Sequence, residues 1–419
     1  MNDVMNLIRE FSVPCPCGVR HETTIRDVRI GSGLRKQVGE ILSENGFSED
    51  LLLVADKNTL AAADGIEDSL KRCGFRVEKH IYPELRVAEM KHVTELEELI
   101  RGKDVSILSV GTGSVNDPCR LAAARQDKKL CIFGTAPSMD GFASYSSPLV
   151  DRGFKASYPA KSPEVVIGDT EVLAAAPKQL KSAGFGDMMA KYVGLIDWKL
   201  SNILTGEYYC DRVAALTRKA ADDILSMADK VTAEDEETAG SIFSALLLTG
   251  IGMSFTKNSR PASGSEHIIG HLIECIELRD NKIPNFHGED IGVCTLEMLR
   301  FYGELAEKDC VSAHREQVDW DDVYSFYGSM SEDVRKVNTP DTVTDLVSPR
   351  DIEEKWQQIR DVIRSVPDEK TVRAAMESAG CRLTVSDIGK SDELFSSCVR
   401  YSPYMRRRLT LLRMKDMIG

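Results

Sequence analysis

Residues 105–117, VSILSVGTGSVND, decide the fold of the first part of the chain. The apolar run 105–110 predicts a buried strand, and the spacing that follows predicts a helix that continues to residue 126. Gly111 and Gly113 let the backbone turn sharply and approach a ligand closely, and the free N–H groups of the new helix attract phosphate. Asn116 stands where the third glycine of a dinucleotide-binding fingerprint would be. A tight turn without a ligand therefore remains an alternative to a dinucleotide site.

Short apolar runs alternate with helical spacing on both sides of this stretch. The other predicted strands are 27–31, 51–56, 75–80, 130–133 and 165–168. Strands separated by helices of 10–15 residues are typical of βαβ units and a parallel sheet covered on both faces. After about residue 169 only helical periodicity remains. The sequence thus predicts an α/β domain at 1–170, which binds a dinucleotide, followed by an all-α domain at 171–419.

The composition limits the classes of function. The 419 residues carry 53 basic and 66 acidic side chains, a net charge of −13. This charge argues against non-specific binding of nucleic acid or anionic membranes, but a few cations inside a cleft still permit a small anionic substrate. No apolar run reaches the roughly 18–20 residues of a membrane helix, and the first ten residues do not resemble a signal peptide. We therefore expect a cytoplasmic protein without membrane insertion, whose 11 cysteines are reduced.

The seven histidines are few, and three of them lie within 21 residues. His267 and His271 share one face of a predicted helix, and His287 follows a loop. With Asp187, which lies at the start of a long predicted helix, these side chains suit Zn²⁺, Ni²⁺ or Fe²⁺. Taken singly, Asp187 fits a helix cap, His271 a core residue and His287 a loop residue, and these alternatives remain open.

Asp56 ends the predicted strand 51–56. A carboxylate at this place can accept hydrogen bonds from the adenosine ribose and thereby favours NAD(H) over NADP(H). Lys57 would partly offset the repulsion of a 2′-phosphate, so both cofactors remain compatible with the sequence. The alternative is that Asp56 caps the following helix.

Two further groups of residues receive simpler interpretations. Cys15, Cys17 and His21 provide too few ligands for a closed tetrahedral metal site, so we expect a β-turn or hairpin with buried thiols. The acidic stretch 234–237 is interpreted as a solvated loop or a first helical turn. The basic stretch 406–415 is interpreted as part of an amphipathic terminal helix over 404–417.

Several motifs resemble those of the sn-glycerol-1-phosphate dehydrogenase family, in particular its bacterial AraM-type members. They are GTGSVND at 111–117, TAPSMDGFAS at 135–144, FGDMMAKY at 185–192, DWKL at 197–200, RPASGSEH at 260–267 and HGE at 287–289. The stretch CPCGVRH at 15–21 is also similar. The wider superfamily contains glycerol dehydrogenase, iron-dependent alcohol dehydrogenases and dehydroquinate synthase. The resemblance implies a Rossmann-like domain, a helical domain and a deep cleft between them.

The resemblance also implies a reaction and its residues. The reaction is the reversible reduction of dihydroxyacetone phosphate by NAD(P)H to sn-glycerol 1-phosphate, in a protein that we expect to be a homodimer. The implied metal ligands are Asp187, His267 and His287, and His271 is a candidate for passing a proton. The implied cofactor residues are Asp56, Gly111, Gly113, Ser114, Asp117, Thr135, Ser138 and Ser144.

Asp140 matches the substrate-binding aspartate of the family. A phosphorylated substrate also needs cations, and Arg260 and Lys155 are the candidates, because Arg260 stands where uncharged residues are expected in a glycerol dehydrogenase. A surface or domain-interface ion pair is the alternative for each of the two. Three other functions remain: another metal-dependent polyol dehydrogenase, a dehydroquinate-synthase-like lyase that uses NAD transiently, and a non-catalytic nucleotide-binding protein.

Overall fold

A six-stranded parallel sheet forms the first part of the computed structural model, which describes residues 4–419. The strand order is β1-β8-β5-β4-β2-β3, and β6 and β7 form a separate antiparallel hairpin. The strand bounds are β1 (Asp27–Gly31), β2 (Asp50–Asp56), β3 (Arg76–Tyr82), β4 (Ser106–Gly111), β5 (Leu130–Gly134), β6 (Ser146–Asp151), β7 (Phe154–Pro159) and β8 (Val165–Asp169). The predicted parallel sheet is confirmed, and it brings the carboxyl ends of β2, β4 and β5 to one edge.

Helices cover the sheet and form the rest of the chain. In the first part they are α1 (Val4–Phe11), α2 (Val38–Glu44), α3 (Lys57–Ala62), α4 (Ile66–Arg72), α5 (Met90–Ile100), α6 (Gly113–Arg125) and α7 (Thr170–Ala175). The long helices that follow are α8 (Lys178–Thr205), α9 (Asp211–Leu225), α10 (Glu236–Thr256), α11 (Ser265–Arg279) and α12 (His287–Ala306). The last are α13 (Trp320–Tyr327), α14 (Ser331–Asn338), α15 (Pro349–Glu354), α16 (Trp356–Arg364), α17 (Glu369–Ser378) and α18 (Asp392–Tyr401). The α/β plus all-α architecture is confirmed, whereas the domain boundary at residue 170 stays a prediction.

The hairpin of β6 and β7 was not foreseen from the sequence. Its two strands are short and are joined by a two-residue turn, in which Arg152 and Gly153 both have positive φ. The hairpin carries Lys155 toward α11, where the Lys155 backbone N–H donates to the Cys275 sulfur at 3.3 Å.

The predicted terminal helix over 404–417 is wrong. This segment consists of turns with 3₁₀ helices at Ser402–Tyr404 and Lys415–Met417. Its charged groups turn inward instead of lining one exposed helix face. Arg408 donates to the Ser263 carbonyl at 2.8 Å, and Arg413 donates to Glu316 at 3.0 Å. By contrast, the acidic stretch does form a first helical turn, and the Asp235 side chain caps α10 through the Thr238 N–H.

α10 is an apolar helix of 21 residues that passes a length and composition test for a membrane span. However, 89% of its apolar window is buried inside the protein. Phe243 of this helix is fully buried and lies 4.8 Å from the Phe142 ring, between centroids. The apolar character of α10 is therefore explained by its position in the core.

α8 lies very close to its neighbours because glycines occupy the contacts. A Cβ atom added at Gly184 would lie 1.8 Å from the Pro137 carbonyl oxygen, and one at Gly288 would lie 1.8 Å from the Ala183 carbonyl oxygen. Both distances are far below any allowed contact, so only glycine fits at these places. These contacts fix α8 against both the loop after β5 and the start of α12.

Candidate active site

A cleft of about 690 Å³ opens at the edge of the sheet where β2, β4 and β5 end. Asp56, Gly113, Ser114, Asp117, Thr135 and Ser138 line one part of it. Asp140, Lys155, Glu274 and His287 line the other. The volume lies within the range of cofactor and small-molecule sites, which is about 300–1,000 Å³. The structure therefore gathers most of the predicted cofactor residues and part of the predicted substrate site in one cleft.

Asn116 supports the glycine turn from inside the protein. Its Oδ1 accepts a hydrogen bond from the Ser109 hydroxyl at 2.6 Å, and its Nδ2 donates to the Gly111 carbonyl at 3.3 Å. Gly111 itself is buried at the end of β4, whereas Gly113 and Ser114 begin α6 at the cleft. The first N–H groups of α6 thus face the cleft, which is the arrangement that binds phosphate.

Asp56 caps a helix and also lines the cleft. Its Oδ1 accepts hydrogen bonds from the N–H groups of Asn58 at 2.9 Å and Thr59 at 2.8 Å, so it caps α3. From the residues that the structure describes, its Oδ2 accepts only the long Leu85 N–H contact at 3.4 Å, and Asp56 lines the cleft. The second oxygen therefore has lone pairs left for a ribose, and the ribose contact stays a prediction.

Asp117 and Ser144 meet at Arg120, which is fully buried. The Arg120 guanidinium donates to Asp117 Oδ1 at 2.5 Å and to the Ser144 carbonyl at 2.6 Å. Burial raises the pKa of Asp117 even though Arg120 opposes this. The Ser144 hydroxyl accepts the Ser146 N–H at 3.2 Å and does not line the cleft. The expectation that Ser144 lines the cofactor site is therefore corrected: its hydroxyl holds the start of β6.

Asp187, His267 and His287 come together although they belong to three helices. Asp187 lies in α8, His267 in α11, and His287 is the first residue of α12. Their ligand atoms all lie within 4.8 Å of one another, and His267 Nε2 is 3.5 Å from Asp187 Oδ1. The geometry is the one that the metal prediction requires.

A carboxylate orients each imidazole of this group. His267 Nδ1 donates to Glu266 Oε1 at 2.7 Å, and His287 Nδ1 donates to Glu274 Oε1 at 2.9 Å. With Nδ1 carrying the proton, Nε2 of each ring keeps its lone pair. Metal-binding histidines in proteins are held in this way. Glu266 and Glu274 were not singled out from the sequence, although both lie on α11, on which His267 also lies.

Lys191 is a further residue that the sequence reasoning missed. It lies one turn after Asp187 on α8 and is completely buried, with Nζ 2.6 Å from Asp187 Oδ1 and 2.7 Å from Asp140 Oδ2. The Asp140 N–H also donates to Asp187 Oδ2 at 2.9 Å. The four-residue spacing of Asp187 and Lys191 was the available signal, since such pairs meet on a helix. Asp140 therefore lies directly against the predicted metal ligands.

The charges and donors of this group fit a divalent cation. Within residues 4–419, Asp140, Asp187, Glu266 and Glu274 pair with two ammonium groups, Lys155 and Lys191, which gives a formal charge of −2 when the imidazoles are neutral. Burial disfavours the charged form of Asp187, but Lys191 and His267 outweigh it and hold its pKa well below the usual range. One carboxylate and two imidazoles are borderline ligands that accept Zn²⁺, Ni²⁺ or Fe²⁺.

His271 lies beside this group and is only partly buried. Its ring stacks on that of His287 with 5.4 Å between centroids, and within residues 4–419 it makes no hydrogen bond. Burial, followed by the positive charge of Lys155, lowers the pKa of His271 well below its ordinary value. His271 is therefore a neutral imidazole at neutral pH.

Arg260 is not in the cleft, and its prediction as a phosphate-binding residue is wrong. It is 2% exposed, and its guanidinium contacts Glu207 at 2.6 and 2.9 Å and the Leu409 carbonyl at 2.8 Å. Arg260 instead forms an ion pair with Glu207, and its side chain is buried rather than at the surface. Arg260 ties the loop before α11 to the segment after α8 and to the end of the chain.

Lys155 does line the cleft, and Arg406 contacts its backbone. Lys155 Nζ pairs with Glu274 Oε2, and the Arg406 guanidinium donates to the Lys155 carbonyl at 2.7 Å. The charges of both residues act on the imidazole of His271 and disfavour its protonation. Arg406 was missed because its basic segment was interpreted as an exposed helix, and its 120-residue distance from any predicted site residue gave no signal.

The fold and the site define a class that the comparisons with known proteins support. The model of the family described as iron-containing alcohol dehydrogenase matches residues 29–177. The crystal structure of an archaeal halo-thermophilic alcohol dehydrogenase from a Red Sea brine pool aligns with a TM-score of 0.64 and 13% identity, covering 94% of this chain and 96% of that one. This likeness shows the fold. Residues 29–177 thus match the iron-containing alcohol dehydrogenase family, and the whole chain shares this fold.

Its sequence relatives define the family more narrowly. A glycerol-1-phosphate dehydrogenase, NAD(P)+, of Thermococcus sibiricus is 33% identical over 66% of this chain and 78% of the relative. The enzyme of the same name from Halalkalibacterium halodurans is 28% identical over 98% of both chains. The chain belongs to the glycerol-1-phosphate dehydrogenase family.

Proposed function

We propose that this protein catalyses the reversible reduction of dihydroxyacetone phosphate to sn-glycerol 1-phosphate by NADH or NADPH. Family membership supports the reaction. A phosphorylated substrate is supported by two cations, Lys155 and Arg406. Both lie near His271, which is beside the Asp187 group. A polyol without phosphate would leave these charges without a function in the cleft.

The cofactor lies along the edge of the sheet in this proposal. Its diphosphate binds at the N-terminus of α6, where Gly113 permits a close approach and Ser114 adds a hydroxyl group. Asp56 accepts the ribose hydroxyls, and Thr135 and Ser138 lie beside the nicotinamide part of the cleft. The nicotinamide supplies the hydride, while the protein fixes its position against the substrate carbonyl carbon.

Asp187, His267 and His287 would hold one divalent ion, which as a Lewis acid stabilises negative charge on the substrate oxygen. The protein's own part is to keep these ligands in place. Glu266 and Glu274 bind Nδ1 of each imidazole, so that Nε2 is the nitrogen directed to the ion. Lys191 keeps Asp187 ionised and holds Asp140 beside it. Asp140 is then placed to accept a hydrogen bond from a substrate hydroxyl.

His271 moves the proton that the reduction consumes. The product oxygen gains one proton for each hydride delivered to carbon, and this proton comes ultimately from water. His271 is neutral and partly exposed, so it can relay a proton: one ring nitrogen accepts a proton from solvent while the N–H of the other donates to the substrate oxygen. Its lowered pKa favours the neutral ring before and after this relay.

Lys155 and Arg406 bind the substrate phosphate. Lys155 offers a point charge that Glu274 holds in place, and Arg406 offers a planar guanidinium whose second face is free for phosphate oxygens. We further propose a homodimer in the cytoplasm, with Zn²⁺, Ni²⁺ or Fe²⁺ as the ion.

The test is an assay of the purified protein with dihydroxyacetone phosphate and each nicotinamide cofactor, with Zn²⁺, Ni²⁺ or Fe²⁺ added in turn. We expect cofactor oxidation that depends on metal, and chiral analysis should identify sn-glycerol 1-phosphate as the product. Unphosphorylated dihydroxyacetone is the matched substrate control. Equal efficiency on both substrates would identify a polyol dehydrogenase instead, and binding of NADH without turnover of either would contradict the proposal.

A further inference from the structure

Four potential metal ligands meet at a place that does not line the cleft. Cys15, Cys17 and His21 lie in the N-terminal segment, and Cys210 is the residue immediately before α9. Their ligand atoms all lie within 4.8 Å of one another, and His21 and Cys210 are buried. The sequence supplied only three ligands in this segment. The fold adds the fourth from 189 residues away.

The distances within this group match a tetrahedron. The Sγ atoms of Cys15 and Cys210 are 3.7 Å apart, and His21 Nε2 lies 3.5 Å from Cys17 Sγ and 3.4 Å from Cys210 Sγ. Around a zinc ion with ordinary Zn–S and Zn–N bonds, the tetrahedral edges are about 3.8 Å between sulfurs and about 3.6 Å between sulfur and nitrogen. The group therefore already has the spacing of a closed site.

The orientation of His21 supports the same conclusion. His21 Nδ1 lies 3.2 Å from the Phe255 backbone carbonyl, so Nδ1 carries the proton and donates to it. Nε2 is thus left with a free lone pair that faces two sulfurs. A backbone carbonyl on the remote nitrogen is a common partner of metal-binding histidines. The local chain agrees, since the Gly18 N–H donates to the Cys15 carbonyl at 3.0 Å and forms the β-turn predicted from the sequence.

We propose that Cys15, Cys17, His21 and Cys210 bind one structural Zn²⁺ ion, separate from the ion of the cleft. Three thiolates and one imidazole close the tetrahedron and leave no position for a substrate, which is the property of structural zinc sites. In this proposal Cys210 is the fourth ligand, which the N-terminal segment alone does not supply.

The ion fixes an irregular segment to the helical part of the chain. Residues 12–26 form no helix and no strand, and they connect α1 with β1. Contacts of α1 add to those of the four ligands. Phe11 stacks on Phe255 with 4.9 Å between centroids, and Arg212 donates to the Glu10 carbonyl at 2.9 Å. An ion that joins the N-terminal ligands to Cys210 closes a long loop of the chain. It therefore strongly restricts the unfolded chain. The site therefore stabilises the attachment of the N-terminal segment to α9 and α10.

The experiment counts metal ions in the full-length protein and variants by elemental analysis. We expect about two ions in the wild-type chain, about one in Cys17→Ser, and about two in Cys310→Ser, whose thiol is exposed and remote. His21→Ala should also lose one ion, whereas His21→Cys, which keeps four ligands, should retain it. His267→Ala should lose only the other ion, so a failure of the proposed dehydrogenase function would not affect the result.

Cobalt substitution and thiol labelling provide readouts on the wild-type protein, even if a variant does not fold. Cobalt at this site should give sulfur-to-cobalt charge-transfer absorption, which the cleft ligands have no thiolate to produce. Cys15 and Cys17 should resist alkylation until zinc is removed, while Cys310 reacts at once. Absence of the sulfur-to-cobalt absorption, equal metal content in wild type and Cys17→Ser, or a Cys15–Cys210 disulfide in place of zinc would overturn the proposal.

Discussion

The ammonium group of Lys191 lies 2.6 Å from Oδ1 of Asp187, and both side chains are completely buried. The same ammonium group is 2.7 Å from Asp140 Oδ2. In a chain without bound metal, Lys191 is thus the counter-ion of two buried carboxylates. A divalent ion at Asp187 would be a second positively charged partner of the same carboxylate.

Replacing Lys191 should therefore destabilise the metal-free protein most. We expect Lys191→Met to lower the free energy of unfolding by on the order of 3 kcal/mol in the presence of a chelator, because two buried carboxylates lose their partner. Added metal should recover more of the Tm than it does in the wild type. Calorimetry with and without metal measures both, and Lys199→Met on the exposed side of α8 is the control. An equal loss of Tm in both conditions would contradict this account.

Removing a proposed ligand should abolish both metal retention and turnover. We expect His267→Ala and His287→Ala to lose the cleft ion and the reduction of dihydroxyacetone phosphate. Glu274→Gln keeps the ligand but weakens its orientation, so its metal affinity should fall roughly 10–100-fold. His314→Ala changes an exposed histidine outside the cleft and should behave as wild type. Full activity of both ligand variants after chelation would disprove the assignment.

Metal binding in the cleft should weaken as the pH falls. Burial disfavours the charged form of His267, but its hydrogen bonds to Asp187 and Glu266 outweigh this and raise its pKa to about 9 without metal. Below that pH the ion must displace a proton, so its affinity should fall by about tenfold per pH unit and level off above it. Competition with a chelator, measured on His21→Ala to remove the other site, tests this. A flat profile between neutral pH and pH 9 would refute it.

Arg406 should control the affinity for the phosphate group. We expect Arg406→Gln to raise the KM for dihydroxyacetone phosphate by roughly 10–100-fold, the effect of one hydrogen bond to a charged group. The KM for unphosphorylated dihydroxyacetone should stay the same. Arg407→Gln is the matched control, because Arg407 is exposed and pairs with Asp341 at 2.6 Å. If Arg406→Gln affects both substrates equally, Arg406 does not bind phosphate.

Asp56 should influence the choice of cofactor separately from its role as a cap. Asp56→Ala removes both roles, and it should cost about 1 kcal/mol of stability as well as shift preference toward NADPH. Asp56→Ser keeps a capping oxygen but removes the charge. It should shift the ratio of Kd values for NADH and NADPH with little change in stability. An unchanged ratio in both variants would argue against the ribose contact.

The alternating part of the sequence predicted the sheet well because its strands are buried on both faces. Runs such as 105–110 are continuous and apolar, and the helices between them have clear periodicity. The hairpin Ser146–Pro159 lacks such a run, since its first strand includes Pro148 and most residues of its second strand are only partly buried or exposed. The segment after residue 401 was predicted as a helix from its spacing, because its inward arginines look like an exposed face when their partners are unknown.

The candidate site was predictable only in part. Asp187, His267 and His287 stood out because histidines are rare in this chain, and the resemblance placed them in one group. Arg260 was misplaced because a charge in a motif says nothing about its partner, and here Glu207 takes it. Cys210 and Arg406 could not be found, since each reaches its neighbours only through the folding of distant segments.

The hydrogen bond from the Asp140 N–H to Asp187 has one more consequence. It joins the loop after β5, which lines the cofactor part of the cleft, directly to a carboxylate that would bind the ion. Occupation of either place thus alters the energy of the other through one shared contact. Because such coupling is reciprocal, the factor by which the ion tightens NADH binding must equal the factor by which NADH tightens binding of the ion. We therefore expect metal and nucleotide to bind with a shared coupling energy, although they need not touch each other.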